Sequence, residues 1–365
     1  MAETTSSIHS SSDVTWPRLQ LRLITLLGLA VALLGVFLLS LVVGSVSIPA
    51  GEVLRILLGE QPERATWTTI VLNFRLPRAL TATLAGAALG VSGLQMQTLF
   101  RNPLADPFVL GVSSGASLGV ALVVLSVGVA GSAPLLAVSG LLSNVSLVLA
   151  ACGGAAAVLL IVLLLARHVQ SSVTLLIIGL MIGYLTSAIV SLLLYFSIAE
   201  RIQAYITWTF GSFGGVTWSQ MRVLAPTVLV GLGLAFTLAK SLNALLLGEA
   251  YAHSMGLPVR QARFRIITSA AVLAGAVTAF CGPIAFLGIA VPHFCRSLFA
   301  TSDHRLLVPA VMLMGALGAL GADLIAQVPG SDTVLPLNAV MSLIGAPVVV
   351  WIILRRSRLN AAFAS

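Results

Sequence analysis

Eight stretches of this chain run without a single lysine, arginine, aspartate or glutamate: residues 23–43, 79–100, 107–166, 168–199, 223–239, 266–295, 306–322 and 333–354. A helix needs about 20 apolar residues to cross the hydrocarbon core of a bilayer. In lipid every backbone N–H and C=O must find its partner inside the protein, which leaves helices or a closed barrel. Uninterrupted apolar runs of this length point to helices. Charge elsewhere is too scarce for a water-facing shell, because only 8% of the 365 residues are charged and 58% are hydrophobic. An ordinary soluble domain carries about 25% charged residues.

Two of the runs exceed one helix. The run 107–166 is expected to break at residues 131–134, GSAP. The run 266–295 fits either one tilted helix or two short ones parted at Gly282 and Pro283. Topology selects two. One helix would put the basic loops 241–265 and 301–305 on opposite sides of the membrane, whereas two helices put both inside. The expected fold is therefore all-α, with about ten transmembrane helices and both termini cytoplasmic. Of the 19 basic residues, thirteen fall inside, among them Arg22, Lys240, Arg260, Arg263 and Arg265. Six fall outside: Arg55, Arg64, Arg75, Arg78, Arg201 and Arg222. This is the bias of the positive-inside rule, and it reads the net charge of +8 as orientation charge rather than a nucleic-acid surface.

Residues 1–18 read as a disordered Ser/Thr-rich tail, 19–358 as one transmembrane domain and 359–365 as a second tail. The first apolar run is too long for the core of a signal peptide. Cys152, Cys281 and Cys295 lie in apolar sequence with no CxxC pair, which suits small buried residues rather than disulfides or metal ligands.

Small residues set the packing. Gly86 with Gly90, Gly111 with Gly115 and Gly119, and Gly179 with Gly183 are spaced four apart. Lipid supplies no hydrophobic drive between helices, so close backbone approach at such steps must supply it. Residues 85–87 with Gly93 also match residues 274–276 with Gly282. The two copies would run in opposite directions, as in an inverted-repeat transporter.

The chemistry is sparse. No GxxxxGK[ST] loop is present, and Lys240 is the only lysine, so the chain does not bind ATP by that route. No HExxH and no paired carboxylates within a span appear. Asp323, toward the end of its apolar run, is either a proton-carrying site or a satisfied helix-end carboxylate. His293, beside Pro292 and near Cys295, is a conceivable ligand; a packed, hydrogen-bonded histidine is the plainer reading. The long inner loop carries an apolar-periodic segment over residues 244–255, with Glu249 and His253 on its polar face, and Gly256 and Pro258 end it. It reads as one amphipathic helix on the cytoplasmic face, lying on the membrane or docking a partner.

Several segments together resemble the FecCD family of ABC-importer permeases. They are RLPR at Arg75, GxxxGxSGxxMQ from Gly86 to Gln97, NPLADPxxLGVSSGA from Asn102 and GSFGGVTW at Gly211. Further along come GEAYAHSMGL at Gly248, GPIAFLGIAVPHFCR at Gly282, SDHRLLVPA at Ser302, GADLIA at Gly321 and GAPVVVW at Gly345. The resemblance implies a type II permease domain over 19–358 with an inverted repeat, in the bacterial inner membrane. It implies no cofactor, no resident metal and no enzyme activity of its own. The partners it implies are a second, identical or homologous permease subunit, two ATP-binding cassette ATPase subunits and a substrate-binding protein, with the lipid bilayer around them. The cargo would be an iron–siderophore complex, with haem or vitamin B12 as the alternatives and an ion-coupled carrier as the rival class.

The resemblance also implies residue roles. Arg75 and Arg78 match the outer arginines that meet acidic residues of the binding protein. A coupling helix near 244–257 would engage the ATPase through Gly248, Glu249, His253, Ser254, Met255, Gly256 and Leu257. Ser171, Ser172 and Val173 match the cytoplasmic gate at the start of the fifth span. The chain departs from the pattern twice: Gln327 stands where relatives often have arginine, and VLPLN at residues 334–338 replaces ELPxG.

Overall fold

The computed structural model describes residues 16–125, 141–166, 168–169, 171–328 and 333–362. Among these the chain is helical throughout, with no strand. α1 (Trp16–Val42) leads to two short helices, α2 (Ala50–Leu57) and α3 (Ala65–Thr69). A π-helical turn, Ile70–Arg75, joins α3 to α4 (Leu76–Leu99). Pro77 has no N–H to bond back one turn, which accounts for the widened ladder just upstream. After the NPLADP turn come a 3₁₀ turn (Pro107–Leu110), α5 (Val112–Leu125), α6 (Leu141–Ala166), α7 (Ser172–Tyr195) and α8 (Ala199–Thr209). The rest is α9 (Trp218–Thr237), α10 (Ala239–Leu246), α11 (Glu249–Ser254), α12 (Val259–Cys281), α13 (Leu287–Phe299), α14 (His304–Ala326) and α15 (Leu337–Ala362).

Seven of the described helical segments are long and apolar enough to cross a membrane, and three shorter apolar helices accompany them, at Val112–Leu125, Leu287–Phe299 and Leu337–Val350. That is the expected set of ten. The run 266–295 is split, α12 ending at Cys281 and α13 starting at Leu287. The expected break at 131–134 lies outside the described residues.

α4 and α12, the helices that carry the two copies of the short repeat, lie at the centre. The apolar window of the segment containing α4 is 83% buried and that of α12 is 72% buried, against 6% for α1 and 22% each for α6 and α7. α4 packs on α14, α12 and α13, and α5 packs on α6 and α7. Backbone contact holds these pairs. A methyl group on Gly86 would run into the Gly315 carbonyl oxygen of α14, so these two helices meet without side chains between them. Gly86, Gly90, Gly115 and Gly119 do this work, whereas a methyl group on Gly183 would make only an ordinary contact with Ser114, and Gly111 caps the 3₁₀ turn in the left-handed region (φ 74°) rather than lying in a helix.

Hydrogen bonds sort the loops into two ends of the bundle. At one end Arg75 reaches the end of α1, and Asn338 reaches the ends of α8 and α12. At the other, Thr98 meets His304, and Arg22 reaches Ala300. α1 therefore starts, and α15 finishes, at the end that carries α10 and α11. This agrees with an even number of crossings.

Candidate functional site

Arg75 and Arg78 sit one turn apart where the π turn passes into α4, yet they do different things. Arg75 is buried, and its guanidinium donates to the carbonyls of Leu41 at 2.8 Å and Val42 at 2.7 Å, and also to that of Val46. Those carbonyls lie where α1 has ended and have no intrahelical donor. Arg75 thus pins α1 to α4. Arg78 turns outward, with 20% of its side chain exposed, and clasps Asp323 of α14 through Nε at 2.9 Å and Nη2 at 2.9 Å. Gln327 donates to the same carboxylate at 2.9 Å. Asp323 is a satisfied helix-end carboxylate, the plainer of its two readings.

The altered VLPLN segment has a structural use. Asn338 donates to the Thr209 carbonyl at 2.9 Å and the Pro283 carbonyl at 2.5 Å, and accepts from the Ala285 N–H at 3.1 Å. One amide therefore closes the α12–α13 break against α8.

The opposite end holds a chain of polar contacts. Arg296 donates to Gln97 Oε1 at 2.5 Å, and Gln97 donates to the Gly288 and Ile289 carbonyls. Thr98 and His304 are 2.8 Å apart. Asn243 of α10 accepts from the His304 N–H at 2.8 Å and donates to Asp303 at 2.6 Å. Burial pushes the Asp303 carboxyl up, but the Arg305 N–H, the Asn243 amide and the charges of Arg305 and His304 outweigh it and hold the carboxyl low. α10 is thereby anchored to α14. His293 meets the Pro103 carbonyl at 3.1 Å, so it braces the NPLADP turn. Among the described residues no group of three metal-ligating side chains occurs. Asp106 of that turn accepts from the Phe108 N–H at 2.9 Å, and burial pushes its carboxyl up to about 6.

The segment 248–257 differs from its expected form. Residues 244–255 are not one helix. The chain breaks at Gly248, whose φ of 106° and ψ of 153° only glycine adopts readily, and α10 and α11 meet there at a corner. Tyr251 (54%), Met255 (51%) and Leu247 (61%) are exposed, as are His253, Ser254 and Gly256, while Ala252 is buried. Glu249, His253 and Leu257 line a 630 Å³ groove with His168, Arg260 and Arg263. Apolar tips beside a charged groove form a surface a protein partner can grip.

Ser171 caps α7 by accepting from the Thr174 N–H at 3.3 Å, Ser172 is the first residue of the helix and Val173 is 65% exposed. The structure brings this segment close to 248–257 through a residue that the sequence reading counted only as an orientation charge. Arg263 of α12 donates to both oxygens of Glu249 at 2.8 Å and to the Val169 carbonyl at 3.1 Å. No spacing rule exposes it, because its partners lie 14 and 94 residues away in the chain.

The sequence profile of the FecCD transport family matches residues 31–355. A vitamin B12 import system permease protein, BtuC, from Klebsiella pneumoniae is 37% identical over 331 residues, covering 90% of this chain and 93% of its own. The hemin transport system permease protein HmuU of Yersinia pestis is 38% identical over 302 residues, 80% of this chain and 88% of its own. A solved metal-chelate type ABC transporter in an inward-facing conformation superposes with a TM-score of 0.78 at 29% identity, covering 91% of this chain and 99% of its own.

Proposed function

The chain belongs to the FecCD transport family and is a permease subunit of an ABC importer, and from that premise we propose that it moves a preassembled metal chelate across the bacterial inner membrane. The cargo class spans vitamin B12, haem and iron–siderophore complexes. A substrate-binding protein delivers the cargo, two permease subunits form the path, and two separate ATPase subunits supply the energy. The observation that carries this reading is the extent of the match. It begins inside α1 and ends inside α15, so it covers all ten apolar helices rather than one motif.

The site roles follow the same reading. The binding protein docks at the end that carries Arg78, which presents the outward edge of its guanidinium while Arg75 holds α1 in place behind it. Exposed Arg64, stacked over Trp67 at 5.4 Å, belongs to the same rim. Surface ion pairs are individually weak, but they orient an encounter. The ATPase docks on the groove and apolar tips of 248–257. Ser171, Ser172 and Val173 stand at the inner mouth of the path, where small side chains permit close approach when shut.

The test is reconstitution. The permease, its ATPase subunits and its binding protein are placed in proteoliposomes with vitamin B12, hemin or a ferric hydroxamate outside. The binding protein is screened against the same three. Uptake of at least one, dependent on ATP and on every subunit, is expected. Uptake by the permease alone overturns the reading in favour of an ion-coupled carrier.

A further inference from the structure

We infer that Arg263 is a positioning residue that transmits movement of the segment 248–257 to the start of α7. The inference rests on the reading of 248–257 as the ATPase-docking segment. Its geometry is a single guanidinium held between two elements. One side grips Glu249, the first residue of α11, with 2.8 Å bonds to both oxygens. The other side donates to the Val169 carbonyl at 3.1 Å, two residues ahead of the Ser171 cap of α7. The Arg263 side chain is 6% exposed, whereas that of Glu249 is 37% exposed. The guanidinium is therefore enclosed in protein, and the carboxylate lies at the surface where a partner pushes.

Three further features make this a link rather than a local staple. α10 is anchored separately, through Asn243 to Asp303 and His304. The two halves of the docking loop are thus tied by side chains to different helices, α10 to the start of α14 and α11 to α12. The corner between them is Gly248, in a conformation where glycine turns freely. When α11 moves about that corner, Glu249 moves with it. Arg263 then either follows and draws the Val169 carbonyl along, or gives up charge-assisted bonds where little water replaces them. Its planar fork fixes the angle between the two sets of bonds, which a lysine ammonium does not.

The test uses the complete complex in proteoliposomes, in a cysteine-free background, importing whichever of vitamin B12, hemin or a ferric hydroxamate the wild type takes up. Arg263→Gln is expected to lower import per ATP hydrolysed about tenfold, a ratio read with both rates measured in the same vesicles and the size of effect seen along coupling networks. Spin labels at Ser171→Cys in the two permease subunits are expected to change separation on ATP addition in wild type, and not in the variant. The charge swap Glu249→Arg with Arg263→Glu separates the link from mere stability. It restores the ion pair but leaves no donor for Val169, so it is expected to recover the melting temperature and not import. Arg263→Lys is expected to fall between wild type and Arg263→Gln in import per ATP. Full recovery of import by the swap, or an unchanged label response in Arg263→Gln, overturns the inference. Cross-linking of His253→Cys to the ATPase subunit is read in parallel. Its failure overturns the docking assignment and the inference with it, whereas intact cross-linking with unchanged import per ATP overturns the link alone.

Discussion

Asp106 is the buried carboxylate whose protonation the turn itself governs. Burial raises it from 3.8 to about 6 against the pull of the Phe108 N–H. The folded chain therefore holds a proton that the unfolded chain has released. Folding stability falls as pH rises from about 4 to about 6 and is level above that. A shift of about 2 units is worth at most about 3 kcal/mol. Asp106→Asn keeps an acceptor for Phe108 and cannot ionise. Its melting temperature in detergent is expected to match wild type near pH 4 and exceed it at pH 7; a difference that ignores pH refutes the account. Arg78 and Asp323 give a second case. Removing one partner of a buried pair costs about 3–5 kcal/mol, and the 20% exposure of Arg78 puts Arg78→Gln at the low end. Adding Asp323→Asn removes the stranded charge, so the double variant is expected to be more stable than Arg78→Gln by about 1–2 kcal/mol. Equal stability in denaturant melts means that the Asp323 carboxylate carries no penalty when Arg78 is lost. Neither pairing was legible in the sequence. Asp323 lies 245 residues from Arg78, and the Arg75 bond to Leu41 spans 34 residues. Charge counting sees such residues only as signs on a loop.

Elements were more legible than their ends. The apolar runs located the crossing helices because composition alone decides whether a segment can stay in lipid. Residues 244–255 were misread as one helix, since helical spacing of apolar residues says nothing about the backbone at Gly248. α10 and α11 show that a glycine at a corner overrides periodicity on both sides of it. Gly248→Ala is expected to strain this corner by about 1–3 kcal/mol. The loss should show as weaker ATPase docking rather than global unfolding, and a pull-down with the ATPase subunit measures it. Glycine contacts also distinguish the faces of a helix. Gly86 touches the backbone of α14, whereas Gly153 of α6 has open space around it. Gly86→Ala is expected to lower the melting temperature and Gly153→Ala to leave it unchanged or raise it slightly, because alanine is the better helix former. Equal effects mean that α4 and α14 are not held by backbone contact.

At the scale of the whole molecule, the fold places chemistry at the two ends and leaves an almost uncharged middle. Among the described residues such a middle offers few groups to hold a polar cargo, which suits the proposed division of labour with a binding protein and separate ATPase subunits. Each end must then face its own partner, and orientation has its own test. On the orientation proposed from the positive-inside count, α10, α11 and the α13–α14 connection face the cytoplasm, and α2, the α8–α9 connection and the α12–α13 break face the outside. Single cysteines replacing His253, Ser302, Glu60 and Gly215, all exposed, sample both ends. In intact spheroplasts a membrane-impermeant maleimide is expected to label Glu60→Cys and Gly215→Cys, with His253→Cys and Ser302→Cys reacting only after lysis. Labelling of His253→Cys from outside inverts the protein. In that case the basic loops, the docking segment and Arg263 all face away from ATP, and the assignment of both ends fails together. Mixed labelling within one end instead breaks the ten-span count, because only an even number of crossings keeps α1's start and α15's finish on one side.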